Sequence, residues 1–152
     1  YGDHRDLPSF PTRRSSDLSG EYGALILAEA GLKRLGLSDR IAYRFSPEEL
    51  VPAAGQGILA IQTRAGEYAD LLARLNSPDG ALCAKTERQL ASLLGGDCSA
   101  PVGCHAQLHG TDMTLYGFSG IGGVPRYGSV QGNRNDADLL VQQLASKLTI
   151  TE

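Results

Sequence analysis

The residue with the clearest capacity for chemistry is Cys98, which lies in the stretch Gly95-Gly96-Asp97-Cys98-Ser99. A helical pattern runs up to Gly95, and Pro101 prevents that helix from continuing. Glycines let a ligand approach the backbone and leave a thiol unshielded, so the pattern predicts an accessible sulfur nucleophile on a loop. Asp97 and the negative end of the helix oppose a thiolate, so this stretch alone does not indicate an activated one.

The other two cysteines, Cys83 and Cys104, are expected to be packing residues. Cys83 follows Leu82 in a predicted helix, and Cys104 falls in a predicted strand. Three cysteines without a CxxC pair argue against both a disulfide framework and a zinc knuckle, and they favour a reducing, cytoplasmic-type compartment. Cys98, Cys104 and His105 are too few and too scattered to predict a metal site.

Composition narrows the class of protein. The chain has 152 residues and a formal net charge of −3, and it is 41% hydrophobic and 20% charged, which is typical of a globular protein. Without a basic excess there is no reason to expect a nucleic-acid partner. The longest apolar run, residues 24–28, is far too short to span a bilayer, so we expect no membrane partner either.

The first third of the chain contains the pieces of an α/β domain. Residues 22–28 are a short apolar run that predicts a buried strand, and a short helix over residues 31–36 is predicted to stop at Gly36. A glycine-bearing turn follows over residues 52–57. The apolar residues 58–63 then predict a second strand.

The rest of the chain predicts a small α+β unit. Apolar residues at helical spacing predict a helix over residues 68–75, and Ser77 followed by Pro78 is typical of the start of the next one. Four leucines place one apolar face on that second helix: Leu82, Leu90, Leu93 and Leu94. Three strands, over residues 101–108, 113–117 and 127–131, predict an antiparallel sheet, and Leu140, Leu144 and Leu148 predict a last helix that begins near Asn135.

Three stretches of this sequence resemble the porphobilinogen deaminase (hydroxymethylbilane synthase) family, in the same order along the chain. Residues 87–103 resemble its cofactor-attachment loop, which runs Glu-Arg, a helix, Gly-Gly, Cys and then Pro-[Ile/Val]-Gly. Residues 22–36 (YGALILAEAGLKRLG) and 52–57 (PAAGQG) resemble two further family segments. The chain departs from the family by carrying Asp97 directly before the cysteine.

The resemblance implies a C-terminal fragment of a three-domain enzyme. Residues 19–49 would end the second domain of a periplasmic-binding-protein-like two-lobe α/β core. Residues 50–64 would be a crossover turn and a strand returning to the first domain, and residues 65–152 would be the small α+β third domain. The family condenses four porphobilinogen molecules into linear hydroxymethylbilane with loss of ammonia, and a thioether-linked dipyrromethane serves as primer. The family resemblance further implies a monomer in the cytoplasm, or in a plastid if the source is a photosynthetic eukaryote.

The same resemblance implies roles for particular residues. Cys98 would carry the dipyrromethane, because a soft sulfur nucleophile captures a carbon electrophile irreversibly under cellular conditions. Arg88 and Arg34 match family arginines near the acetate and propionate groups of the pyrroles, and guanidinium groups bind carboxylates in a bidentate manner. Gln56 and Gly57 would contact the pyrrole chain from the turn. The catalytic carboxylate of the family lies in the first domain, so we expect this fragment to be inactive.

Residues 1–18 are expected not to be native protein. They resemble one reading frame of a common short-read sequencing adapter, and only Pro8 departs from its translation. Such segments are set aside before reasoning about fold. The segment holds three arginines and three aspartates, so its removal leaves the net charge unchanged.

Two other functions remain open from the sequence. One is a periplasmic-type ligand-binding module, because a crossover between two lobes also occurs in that class. The other is a thiol-dependent interaction or redox domain that uses Cys98 and Cys104. The first requires an export signal and no adduct on Cys98, and the second requires a disulfide between the two cysteines.

Overall fold

The computed structural model describes residues 23–95 and 100–149. The chain divides into two compact units, Tyr1–Arg44 and Phe45–Glu152. Residues 1–18, which we expect not to be native protein, lie outside the described residues, and so does Pro8 within them. Within the described ranges, no helix combines the length and the apolar character that a bilayer crossing requires.

The described part of the first unit is organised around the short helix α1, Glu29–Arg34. Its first residue, Glu29, pairs with Lys33 at 2.9 Å and with Arg44 Nε at 2.7 Å. The hydrogen bonds from Arg44 and then from Lys33 hold the pKa of Glu29 below its ordinary value. Gly36 has a φ of +70°, the left-handed conformation that ends helices, so the predicted helix and its stop are both confirmed.

The second unit contains a small α+β domain. Two helices, α2 (Ala69–Leu75) and α3 (Pro78–Leu93), precede the strands β1 (Val102–His109), β2 (Asp112–Ser119) and β3 (Arg126–Asn133), and helix α4 (Ala137–Leu148) follows them. The strands form one antiparallel sheet in the order β1-β2-β3. The predicted three-stranded antiparallel sheet with helices is therefore confirmed.

Two helices cover one face of this sheet. Helix α3 packs on β1, while α4 packs on β2 and β3 and also contacts α3. The core between them is apolar and includes Leu90, Met113, Leu115, Leu144 and Leu148, all nearly or fully buried. Leu90 and Leu94 of α3 face this core, but Leu93 is exposed, so the prediction for Leu93 was wrong. At 100° per residue Leu94 lies 40° to one side of Leu90 and Leu93 lies 60° to the other, outside the buried face.

Glycines let α4 lie close to the sheet. A Cβ on Gly117 would come within 2.5 Å of Leu148 Cδ1, and one on Gly132 would come within 3.0 Å of Leu140 Cδ2. Gly128, which pairs with Gly117 across β2 and β3, faces Leu144 in the same way. The leucines of α4 therefore fill the space that side chains on these strands would otherwise occupy.

Two predicted strands are absent from the described residues. Residues 23–28 and 58–63 have no strand structure, and their apolar side chains are exposed, 70% for Ile26 and 94% for Leu59. The physical reason is that a strand requires a hydrogen-bonded neighbour, and none pairs with either segment in the ranges 23–95 and 100–149. An apolar run indicates that a segment tends to be buried, but it does not show that a neighbouring strand is present to pair with it.

Candidate functional site

Helix α3 leads directly into the predicted cofactor loop. Its start is fixed as predicted: the hydroxyl of Ser77 accepts a hydrogen bond from Gly80 N at 3.1 Å, and Pro78 occupies the first helical turn. Its end is followed by Gly95, whose φ of +71° turns the chain out of the helical path. Residues 96–99, which include Asp97 and Cys98, lie outside the described residues.

Helix α3 also carries a buried acidic side chain, that of Glu87, which is only 2% exposed. Its Oε2 accepts a hydrogen bond from Gly55 N at 2.7 Å, and its Oε1 accepts one from Ala106 N at 2.9 Å. His105 Nδ1 also lies 3.3 Å from Oε1, so its imidazole faces the carboxylate. One carboxylate thus connects the glycine-bearing turn, helix α3 and strand β1.

The electrostatics of Glu87 follow from these donors. Burial acts to raise the pKa of a carboxyl group, because the charged form loses its hydration. The hydrogen bonds from His105, Ala106 and Gly55 outweigh that effect and hold the pKa of Glu87 below its ordinary value of 4.5. Glu87 is therefore an ionised acceptor that fixes geometry at neutral pH.

The glycine-bearing turn, residues 52–57, is bound along the outer edge of β1. Pro52 O accepts a hydrogen bond from Cys104 N at 2.8 Å, two residues before the Ala106 amide that binds Glu87. A Cβ on Gly103 would lie 2.6 Å from Val51 O, so the strand can approach the preceding segment only with glycine at that position. The edge of β1 is thereby covered, and its amides at Cys104 and Ala106 are paired.

The structure places the predicted site residues on three elements. Gln56 and Gly57 are exposed on the turn, with φ values of +77° at Gly55 and +83° at Gly57. Arg88 is exposed on α3, and its Nε donates to Ala84 O of its own helix at 3.2 Å. The contact between Gly55 and Glu87 brings the turn to the helix of Arg88. Arg34 is exposed on α1 in the first unit.

The two described cysteines are poorly suited to chemistry. Cys104 is fully buried on β1, and burial, followed by the negative charge of Glu87, raises the pKa of its thiol to about 12. Cys83 packs partly buried against the core, and burial raises its pKa as well. Cys83 lies in a helix and Cys104 in a strand, as the sequence predicts. Among residues 23–95 and 100–149, no cluster of three or more histidine, cysteine or acidic side chains could hold a metal ion.

Glu87 is the functional residue that the sequence prediction missed, although a signal was present. It lies three residues before Leu90 and seven before Leu94, so it falls on the apolar face of α3. An acidic residue on such a face is buried only if donors meet it. Those donors are 32 and 19 residues away in the sequence, so they could not be identified from local spacing.

The fold and the site define a small α+β domain. Its longest described helix precedes the segment that contains Cys98, and its buried carboxylate, Glu87, holds the glycine-bearing turn. Two family models match this chain in succession. Residues 11–71 match porphobilinogen deaminase, dipyromethane cofactor binding domain, and residues 81–149 match porphobilinogen deaminase, C-terminal domain. The chain belongs to the porphobilinogen deaminase family.

Curated relatives agree with this assignment. The chain is 43% identical over 133 residues to the porphobilinogen deaminase of Thiobacillus denitrificans, an alignment that covers 85% of this chain and 44% of that protein. It is 46% identical to that of Chromobacterium violaceum, with 85% and 43% covered, and 40% identical to that of Roseiflexus castenholzii, with 90% and 46% covered. The chain therefore spans less than half the length of these relatives. Nothing in the comparisons supports a periplasmic-type binding module or a thiol-dependent interaction domain.

Proposed function

We propose that this chain is the C-terminal part of an enzyme that condenses four porphobilinogen molecules into hydroxymethylbilane and releases ammonia. The observation that carries the proposal is the succession of two family models, the first of which describes a dipyrromethane cofactor binding domain. The enzyme would be a transferase of tetrapyrrole and heme biosynthesis. It would act as a monomer in the cytoplasm, or in a plastid in a photosynthetic eukaryote.

Cys98 is the proposed attachment point of the dipyrromethane, through a thioether. The residues around the loop suit a ligand with several carboxylates, because the guanidinium of Arg88 and the amide of Gln56 are exposed on elements that Glu87 joins. Arg34 and Gly57 are the other proposed contacts. When bound, the dipyrromethane would supply the pyrrole carbon on which the chain is extended, while these residues orient its acidic side chains.

The proposed domain organisation follows the family resemblance. Residues 19–49 would end the second domain of a two-lobe core resembling the periplasmic binding proteins, residues 50–64 would cross to the first domain, and residues 65–152 would form the third. We also propose that residues 1–18 derive from an adapter. The match to the first family model begins at residue 11, so residues 11–18 belong both to that match and to the proposed adapter segment. Amplification and sequencing of the source DNA would show whether these residues are native.

The experiment that tests the function uses the complete reading frame, recovered from the source DNA and expressed. We expect the active protein to exceed its sequence mass by one dipyrromethane and to react with Ehrlich's aldehyde. C98S should lose the adduct and the consumption of porphobilinogen, whereas C83S, a matched control at a packing cysteine, should keep both. The 152-residue chain alone should consume no porphobilinogen, because the proposed catalytic carboxylate belongs to the first domain. An active protein with an unmodified Cys98 would refute the assignment.

A further inference from the structure

One side chain, that of His105, lies within reach to donate to the carboxylate of Glu87, with Nδ1 3.3 Å from Oε1. None of the motifs that resemble the family assigns it a role. Among the contacts of the described residues, the other donors to the carboxylate are backbone amides, of Gly55 and Ala106. Amides are fixed by the chain, so they set where the carboxylate must be. The imidazole is the group that can hold the carboxylate in that orientation.

The ring of His105 is itself held in place. It stacks on the ring of Tyr116, its neighbour across β1 and β2, with 6.4 Å between centroids and 19° between planes. Burial and then the negative charge of Glu48, in the segment that precedes the turn, raise the pKa of Tyr116, so this carboxylate faces the tyrosine. His105 therefore lies between two attachments of the same segment to the sheet, one through Glu48 and one through Glu87.

We propose that His105 is a positioning residue, which orients the carboxylate of Glu87 and so fixes the turn of residues 52–57 against the helix that leads into the Cys98 loop. Both proposed ligand contacts of that region, Gln56 and Arg88, then move as one body. That these contacts face a pyrrole chain rests on the proposed function. The network that joins them stands on the distances alone.

The test measures backbone amide exchange at Gly55 by NMR in the full 152-residue chain. H105F keeps the stacked ring and removes the donor, so we expect exchange at Gly55 to rise about tenfold, the effect of losing one hydrogen bond of ordinary net strength. H105N places an amide nitrogen near the position of Nδ1 without a ring, and exchange should stay within about threefold of the wild-type rate. His109, exposed on the same strand, supplies the control H109F, which should leave Gly55 unchanged.

The two His105 variants separate positioning from packing. If the ring acts only by stacking on Tyr116, H105F will protect Gly55 and H105N will not, and the proposal is overturned. If H105F does not fold, as judged by circular dichroism, H105Q replaces it, because its amide lies nearer the position of Nε2 and should fail where H105N succeeds. Equal exchange in H105N and H105Q would also overturn the proposal. The mass of the adduct on Cys98 in the complete enzyme tests the function separately.

Discussion

The sheet is covered on its helix face and along its β1 edge by two different kinds of contact. Helix α4 lies on the face, where Leu140, Leu144 and Leu148 fill the spaces above three glycines of β2 and β3. The edge of β1 is covered by the turn segment, residues 50–57, through the carbonyl of Pro52 and the carboxylate of Glu87.

The difference lies in how each contact specifies position. Apolar packing is non-directional and roughly proportional to the area buried, so it stabilises the domain as a whole. Hydrogen bonds to a buried carboxylate depend on direction, so they fix one segment relative to another. The helix face therefore determines whether this domain is folded, and the β1 edge determines where the proposed ligand contacts lie.

The largest effect is expected on the helix face, from Leu144→Ala. Leu144 is fully buried, and the glycines opposite it have no side chains that could move into the space. We expect a loss of about 2–5 kcal/mol in the free energy of unfolding, measured by urea denaturation. The matched control is Leu139→Ala on the same helix, where the leucine is 57% exposed and the change should be within about 0.5 kcal/mol. Equal losses of unfolding free energy in the two variants would show that the contact between α4 and the glycines does not form the core.

The next effect is expected at the β1 edge, from Glu87→Gln. The amide keeps one acceptor oxygen and turns an NH₂ group toward the remaining donors, so we expect a loss of about 1.5–3 kcal/mol at pH 7. The pKa of Glu87 is lowered in the folded protein, so its ionised form contributes stability above the unfolded pKa, near 4.5. That contribution is lost as the pH falls through the folded pKa.

The stability of the wild type should consequently approach that of the variant in acid. Urea denaturation of both proteins at pH 7 and at about pH 3.5 measures the difference between them. A difference that is the same at both pH values would mean that the carboxylate does not titrate as its hydrogen bonds require. Glu29, whose pKa is also lowered, is present in both proteins and so cancels in the comparison.

The helix face could be predicted from the sequence because its signals are local. Leucines four residues apart predicted α4, and Ser77 with Pro78 predicted the start of α3. Each signal depends on neighbours within a turn or two, where the period of the helix determines which residues share a face. The strand-like run of residues 101–108, bounded by turn residues, predicted β1 from local signals as well.

The β1 edge could not be predicted, because its contacts join distant parts of the chain. Glu87 meets Gly55 across 32 residues and Ala106 across 19. The same limit explains the wrong strand prediction for residues 58–63, since an apolar run does not reveal whether a partner strand is present. Of the proposed site, the sequence indicates the residues that would touch a ligand, and the structure adds the carboxylate that holds two of them together.

The smallest effects are expected when a single methyl group is added to a glycine, once on the helix face and once at the β1 edge. This pair of variants is also the sharpest test of the comparison. In Gly117→Ala the new Cβ meets Leu148 Cδ1 and Leu144 Cδ2, both buried side-chain atoms, so the core is overpacked. We expect a loss of about 1–3 kcal/mol in the free energy of unfolding, with amide exchange faster throughout the sheet. In Gly103→Ala the Cβ meets the carbonyl oxygen of Val51 at 2.6 Å, which pushes Val51 and Pro52 of the turn segment away from the edge.

The Gly103→Ala variant should lose only about 0.5–1.5 kcal/mol, the net strength of the hydrogen bond between Cys104 N and Pro52 O. Its exchange should rise at the Cys104 amide, while the Gly55 amide, which Glu87 holds, and the amides of α4 stay protected. Val51 and Pro52 can lift away without exposing the core, because Ala54 is the residue of this segment that packs against it. If Gly103→Ala instead accelerated exchange in α4, the turn segment would be part of the folding core, and the division between the two kinds of contact would not hold.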